Sequence, residues 1–258
     1  MGNLADRITT WIRDYAVNNG LDSLCVGVSG GIDSAVVSTL CARTGLPTHV
    51  LSMPIRQKQD QHTLSVDHCL WLLENYDNVH WDTHDLTKAF ESFEQMFPYA
   101  NDLSMANTRS RLRMVTLYTV AQNANGIVVG TGNKVEDFGV GFYTKYGDGG
   151  VDISPIADLT KTEVWALGAE LGVDQRIIDA APTDGLWDDG RIDQDQLNGM
   201  SYRDLEHAMY LEEMMANTQH SAEPFTGLEA HEGRLLLELD KLRKPNLHKM
   251  MPIPVFKK

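Results

Sequence analysis

The chain has 258 residues, a formal net charge of -14 at pH 7, 42% hydrophobic and 22% charged residues. These proportions suit a folded globular protein, exclude collagenous or low-complexity architectures, and leave no apolar run near the roughly 18 residues that a membrane span needs. The negative balance argues against a broad nucleic-acid-binding face, which requires basic surface, but not against a small anion held in a local cationic pocket or through a divalent metal.

Residues 1–14 carry charges and lack the apolar centre of a signal peptide, so the expected location is cytoplasmic, with no membrane partner. Leu4, Ile8, Trp11, Ile12 and Tyr15 fall on one stripe. They predict a helix over 4–17 that Asn19-Gly20 stops. Residues 23–28 read as a buried strand, followed at once by a glycine-rich loop and a helix over 35–42 that is apolar nearly all round. A second strand over 48–53 ends at Pro54. A long helix over 57–76 presents Leu64, His68, Trp71 and Leu72 on one face, and 79–81 is a weak strand. Asp85 caps a helix running to about residue 97, a longer helix covers 103–123, and 127–130 is a short strand. Residues 139–150 are rich in glycine and aromatics and read as loop, with a last short strand at 151–153.

Thr160-Lys161-Thr162-Glu163 is a capping box opening a helix that ends near Gly172. Residues 182–196 are polar, acidic and aperiodic. Helices over 202–216 and 227–241 follow, then an irregular tail from 244. Cys25, Cys41 and Cys69 are odd in number and form no C-x-x-C pair, so neither a disulfide framework nor a zinc site is expected, and Cys25 and Cys41 read as core. Met200, Met209, Met214 and Met215 read as packing, and His80 and His84 give no zinc site. Alternating strands and helices predict a parallel sheet covered on both faces. The expectation is one α/β domain over 1–258, a doubly wound parallel sheet flanked by helices, with helical additions at the C-terminal end.

The stretch Gly27-Val28-Ser29-Gly30-Gly31-Ile32-Asp33-Ser34 joins the first strand to the next helix. At such a junction loop amides and the helix N-terminus face one point, which is an anion site. Gly30 and Gly31 allow backbone angles and close approach that a Cβ blocks, while Ser29 and Ser34 add hydroxyls. The loop has neither the lysine of a Walker A motif nor the G-x-G-x-x-G of a dinucleotide fingerprint. Asp33 stands out, because a carboxylate beside a phosphate is repelled unless a cation such as Mg²⁺ lies between them. Ser-Gly-Gly-x-Asp-Ser after a first strand resembles the loop of the ATP-pyrophosphatase superfamily, with its adenine nucleotide alpha-hydrolase-like fold. Its members bind the pyrophosphate end of ATP there and pass AMP to a substrate oxygen. The loop by itself does not choose among the superfamily's synthetases and tRNA-thiolating enzymes.

The second half narrows the choice. The string Gly130-Thr131-Gly132-Asn133-Lys134-Val135-Glu136 is followed by Lys145-Tyr146-Gly147-Asp148-Gly149-Gly150, Asp152 and Leu159-Thr160-Lys161. With the arginine-rich segment at 107–114, Pro182-Thr183-Asp184 and His248-Lys249, it resembles the NAD synthetase family over about residues 3–252. The resemblance implies synthesis of NAD from deamido-NAD, ATP and a nitrogen donor, with an acyl-adenylate intermediate. It places Mg²⁺ on Asp33 and Glu136, ATP against the glycine loop, Thr131, Lys161 and Thr183, and deamido-NAD against Arg111, Lys145, Asp152, His248 and Lys249. Asp33, Lys161 and Asp152 are the expected catalytic residues, with Asp152 a candidate to take the proton of ammonia. A homodimer is also implied.

Between Glu136 and Lys145 the chain runs one residue longer than the family pattern, which makes Asp137 a rival to Glu136 for the metal. Arg109 and Arg113 share one helical face and Arg111 lies roughly opposite. Because the resemblance uses the whole chain, and no cysteine has a nucleophile's context, free ammonia is the expected nitrogen source. A tRNA-thiolating enzyme usually needs paired reactive cysteines and a basic face. A non-catalytic nucleotide-binding module has no need of Asp33 and Glu136 together with Lys145 and Lys161.

Overall fold

The computed structural model describes residues 3–57, 59–183, 185–187, 193–218 and 228–258. Four parallel strands, β1 (Ser23–Gly27), β2 (Thr48–Ser52), β3 (Val79–Thr83) and β4 (Gly126–Val128), form one sheet in the order β3-β2-β1-β4. The predicted strand at 151–153 is reduced to one parallel bridge, Val129 to Ile153, beyond the end of β4. Side chains alternate between the two faces of β1, as a pleated strand requires. Leu24, Val26 and Val28 enter a core with α1 (Leu4–Asn18), α2 (Ile32–Arg43) and α6 (Lys161–Leu171), whereas Cys25 joins Leu51, Met53 and Val128 beneath α5 (Asp102–Asn123). The helix α3 (Gln59–Asn75) packs on β2 and β3, and α4 (Thr87–Met96) on α5. All three cysteines are buried. Burial pushes the Cys25 and Cys69 thiols up to about 12, which suits inert core residues.

The chain runs outward from β1 to β2 and β3, then crosses the other face through α5 to place β4 on the far side of β1. This reversal makes β1 and β4 a topological switch point, where a doubly wound sheet opens a crevice at the carboxyl ends of its strands. Two local departures from the predicted pattern matter there. The helix α2 begins at Ile32, so Ile32, Asp33 and Ser34 form its first turn instead of belonging to the loop. Residues Lys134–Val140 form a π-helix. It is opened by Asn133, whose Oδ1 accepts from the amides of Val135 and Glu136 at 3.1 Å each. No apolar period announces a turn this short. The C-terminal helices α9 (Tyr202–Thr218) and α10 (Ala230–Arg243) are the expected helical additions, and they lie off the sheet. They pack on the π-helix through a second core containing Val135, Val140, Met200, Tyr202, Leu205, Leu235 and Leu239.

The aperiodic stretch at 182–196 carries a short helix α8 (Asp193–Gln196), preceded by α7 (Gln175–Ile178), and the tail forms a turn of helix α11 (Leu247–Met250). Met209 packs against the second core and lies against Gly139, in keeping with a packing role. His80 stacks on His49 with ring centroids 5.3 Å apart. Among the described residues no group of three or more His, Cys, Asp or Glu is placed to hold a metal. None of the helices there is long and apolar enough to cross a membrane.

Candidate active site

The glycine loop is held in shape by its own serines. The Ser34 hydroxyl donates to the Gly31 carbonyl at 2.9 Å and accepts from the Ser29 amide at 3.1 Å. Ser29 Oγ in turn accepts from the Gly31 amide at 3.2 Å. Gly30 adopts φ +91, a conformation that a side chain strains. Gly31 is the N-cap of α2 and has no side chain to offer the first amides of the helix, so those amides and the helix dipole are available to an anion.

Three charged side chains from distant parts of the sequence meet beside this loop. Lys161 is only 2% exposed, and its Nζ donates to Asp33 Oδ2 at 2.5 Å and to Glu136 Oε1 at 2.9 Å. Asp33 comes from the first turn of α2, Glu136 from the π-helix and Lys161 from the first position of α6. The capping box predicted for α6 is complete, with the Thr160 amide donating to Glu163 Oε2 at 2.8 Å. Asn133 ties the group together, since its Nδ2 donates to Asp33 Oδ1 at 3.2 Å while its Oδ1 caps the π-helix.

Burial opposes the Lys161 charge, but Asp33 and Glu136 outweigh it and raise the ammonium above its ordinary value. Burial also raises Asp33, beyond what the charge of Lys161 offsets. For Glu136 burial is outweighed by Lys161 and by the hydroxyl of Tyr202, so its carboxyl is held below the usual value and it is the stronger anion of the two.

Glu136 and Asp137, the two acids in contention, point in different directions. Glu136 faces Asp33 across the Lys161 ammonium. Asp137 turns its carboxyl onto the backbone of Gly132, where it leaves no room for a Cβ. Burial, followed by the charges of Glu136, Asp148 and Asp33, pushes the Asp137 carboxyl up to about 8. Thr131 lies just past β4 and is half-buried. Thr183 is half-buried, and its Oγ1 accepts from the Gly185 amide at 3.2 Å. Asp184 lies outside the described residues.

The remaining expected site residues do not join this cluster. Arg111 reaches from α5 to the Lys145 carbonyl, Nε to O 3.3 Å, and Lys145 Nζ lies 5.5 Å from the centroid of the Tyr146 ring. Arg109 and Arg113 point elsewhere, as the helical spacing predicts. Arg109 lies over Phe90 at 4.3 Å, and Arg113 Nε donates to the Met53 carbonyl at 3.1 Å. The Lys145–Gly150 string is pinned to α5 by Asp148, whose Oδ1 accepts from Ser110 Oγ at 2.7 Å and from the Thr144 amide at 2.9 Å. Gly147 is required there, because a Cβ would collide with Ser110 Oγ.

Lys249 on α11 donates through Nζ to the Tyr143 carbonyl at 2.5 Å, and the Tyr143 hydroxyl returns a bond to the Lys249 carbonyl at 2.7 Å. His248 is exposed and pairs with the Pro245 carbonyl at 3.1 Å. Asp152 sits on the α5 side. Its Oδ1 accepts from the Tyr118 hydroxyl at 3.0 Å and its Oδ2 from the Val128 amide at 2.8 Å.

Sequence reasoning did not find Tyr202, Asp193 or Glu206. Tyr202 Oη lies 2.7 Å from Glu136 Oε1 and 2.9 Å from Asp193 Oδ2. Glu206 accepts from the Thr162 amide and hydroxyl at 2.8 Å each. Tyr202 and Glu206 lie more than 40 positions from Glu136 and Thr162, and no local pattern marks them. A groove of about 930 Å³ between α1 and the 154–158 segment lies away from these groups. Two of its acids, Asp6 and Asp158, are already paired with Arg43 and Lys134.

A glycine loop at the switch point of a doubly wound parallel sheet, with two carboxylates converging beside it, defines a nucleotide-dependent enzyme domain of the adenine nucleotide alpha-hydrolase fold. The chain belongs to the NAD synthase family, whose model matches residues 4–252, and it is a ligase that forms a C–N bond. It is 39% identical over 236 residues to the NH(3)-dependent NAD(+) synthetase of Alkaliphilus metalliredigens (strain QYMF), covering 88% of this chain and 93% of that one. Among solved structures it is similar to an NMN synthetase from Francisella tularensis, with TM-score 0.83, 30% identity and 99% and 98% of the two chains covered. It shares the fold of an NH3-dependent NAD synthetase from Campylobacter jejuni subsp. jejuni NCTC 11168, with TM-score 0.76, 23% identity and 98% and 97% covered.

Proposed function

We propose that the protein converts deamido-NAD to NAD with ATP and ammonia by way of an acyl-adenylate, and that the Asp33, Glu136 and Lys161 cluster handles the polyphosphate. The observation that carries this reading is the convergence of both carboxylates on one cationic group at the mouth of the glycine loop. The nicotinic carboxylate is a poor acyl donor because its leaving group would be oxide. Its oxygen attacks the α-phosphorus of ATP, the bond from that phosphorus to the bridging oxygen breaks, and pyrophosphate leaves. Ammonia then attacks the acyl carbon, AMP departs with the C–O bond electrons, and the surplus proton passes to a base.

The residues present suit Mg²⁺: Asp33 and Glu136, which share one ammonium at 2.5 and 2.9 Å, would hold a divalent ion, and phosphate oxygens would complete the hard-oxygen shell it prefers. When bound, Mg²⁺ supplies Lewis-acid stabilisation of charge developing on the phosphates. The protein's own part is alignment. The loop amides and the N-terminus of α2 seat the anion, and Lys161 holds positive charge at the start of a capped helix. Thr131 and Thr183 flank ATP in this reading, and Arg111, Lys145, His248 and Lys249 hold deamido-NAD. Asp152, oriented by Tyr118, accepts the proton from ammonia. Two copies pair through the apolar surface of the α4–α5 region. Met96, Phe97, Leu103 and Val115 are all more than half exposed there, which is the kind of patch that marks an interface.

The test is pyrophosphate release by the purified chain with ATP, Mg²⁺ and ammonia, with and without deamido-NAD. Release that depends on deamido-NAD supports the reading, and release indifferent to it overturns it. Glutamine in place of ammonia should give little turnover. The similarity to an NMN synthetase favours one second reading, in which the amidated acid is the mononucleotide. Comparing kcat/KM for nicotinate mononucleotide and deamido-NAD separates the two.

A further inference from the structure

We propose that Tyr202 is a positioning residue that fixes the metal-facing carboxylate of Glu136 and couples it to the segment bearing Thr183. The inference rests on the reading of Asp33 and Glu136 as the metal pair. Tyr202 is the first residue of α9 and is 7% exposed. Its ring is gripped without help from the hydroxyl. It lies edge-on to Trp165, with centroids 6.1 Å apart, packs in the second core, and has Lys161 Nζ 4.9 Å from its centroid.

The hydroxyl therefore has a task besides packing, and its geometry shows which. It stands between Glu136 Oε1 at 2.7 Å and Asp193 Oδ2 at 2.9 Å. One hydroxyl hydrogen serves one of these carboxylates at a time. The Asp193 amide in turn donates to the Pro182 carbonyl at 3.0 Å, one residue before Thr183. One turn further along α9, Glu206 takes both polar hydrogens of Thr162, next to Lys161. Residues four apart share a helix face, so a single face of α9 holds Glu136 through Tyr202 and the first turn of α6 through Glu206. Helix α9 thus helps set the geometry of a site whose charged members, Asp33, Glu136 and Lys161, all lie outside it.

Hydrogen bonds that orient a metal-binding side chain typically change metal affinity by about 10–100-fold when removed. Tyr202→Phe keeps the ring and deletes only the hydroxyl. The experiment titrates Mn²⁺, read by electron paramagnetic resonance, into wild type, Tyr202→Phe and Asp33→Ala, each saturated with a non-hydrolysable ATP analogue. Thermal melting of each protein is recorded alongside. The expected result is Mn²⁺ affinity about 10-fold weaker in Tyr202→Phe, a melting temperature within a few degrees of wild type, and a matching rise in the Mg²⁺ concentration needed for half-maximal turnover.

Wild-type Mn²⁺ affinity in a folded Tyr202→Phe overturns the inference while leaving the proposed function in place. Loss of fold in Tyr202→Phe overturns it too, because the hydroxyl would then be serving stability. If Asp33→Ala binds Mn²⁺ as wild type does, the metal pair is wrong and the inference falls with it.

Discussion

The two ends of the proposed site are built on different principles. At the ATP end, Asp33, Glu136 and Lys161 come from three elements, are largely withdrawn from water, and bond mainly to one another and to Asn133 and Tyr202. At the dinucleotide end, Arg111 and His248 are exposed, and their contacts with protein are single bonds to backbone carbonyls. Charge handled at reduced dielectric is worth more, and a fixed cluster needs no reorganisation when charge develops. Recognition of a long, polar second substrate tolerates looser side chains on loops and helix ends. In the proposed site a rigid electrostatic centre therefore sits beside an adaptable rim.

Variants test this contrast directly. The largest effect is expected at the buried end. Asp33→Ala should leave a folded protein whose pyrophosphate release falls by about 10³-fold or more, measured with ATP, Mg²⁺, ammonia and deamido-NAD. Normal turnover in that variant removes the metal assignment. Next, Lys161→Met leaves two neighbouring carboxylates without their buried partner. Breaking such a pair costs about 3–5 kcal/mol, readable by urea denaturation at pH 7.

Acid should weaken the support of the glycine loop. His68 lies under α2, 2.9 Å from Ser38 Oγ, and burial pushes it down from 6.5 to about 4. Between those values the unfolded chain binds the proton that the folded chain refuses. Stability is full above pH 6.5 and declines as pH falls toward 4, by about 3 kcal/mol from this group. Denaturation midpoints across that range should show the decline, and His68→Gln should flatten it. The smallest effects belong to the rim. Arg111→Ala should raise KM for deamido-NAD about 10-fold, as loss of a charge-assisted bond does, while changing stability by no more than about 0.5 kcal/mol. A change in stability as large as that of Lys161→Met would erase the distinction between the two ends.

The rim and the centre also differed in how far they could be read from sequence. The phosphate loop was legible because strand, glycines and helix are contiguous, and its chemistry is a property of backbone amides. Even so, apolar periodicity placed the start of α2 at Ala35. The first turn carries the polar residues Asp33 and Ser34 ahead of the apolar run, so Asp33 read as loop when it belongs to the helix. The capping box at Thr160–Glu163 was legible for the same reason of locality, and it fixed Lys161 at a helix start. The one-residue excess after Glu136 left two acids in contention. The π-helix opened by Asn133 separates them by turning Glu136 toward Asp33 and Asp137 toward Gly132.

By itself the sequence determined the features that depend on near neighbours along the chain. The alternation of strands and helices gives a doubly wound sheet, the glycine loop gives an anion site, and the order of motifs gives a resemblance to one family. Only the tertiary structure decided which charged groups meet. It brought Asp33, Glu136 and Lys161 to a single point, left Asp152 on the far face with Tyr118, and turned the C-terminal helices onto the π-helix instead of the sheet. The physical reason is that electrostatic and hydrogen-bond partners are selected by packing, which joins Lys161 to Asp33 across 128 positions. Propensity and periodicity act within a few turns. Tyr202, with no motif around it, reaches Glu136 only because a second apolar core seats α9 over the site.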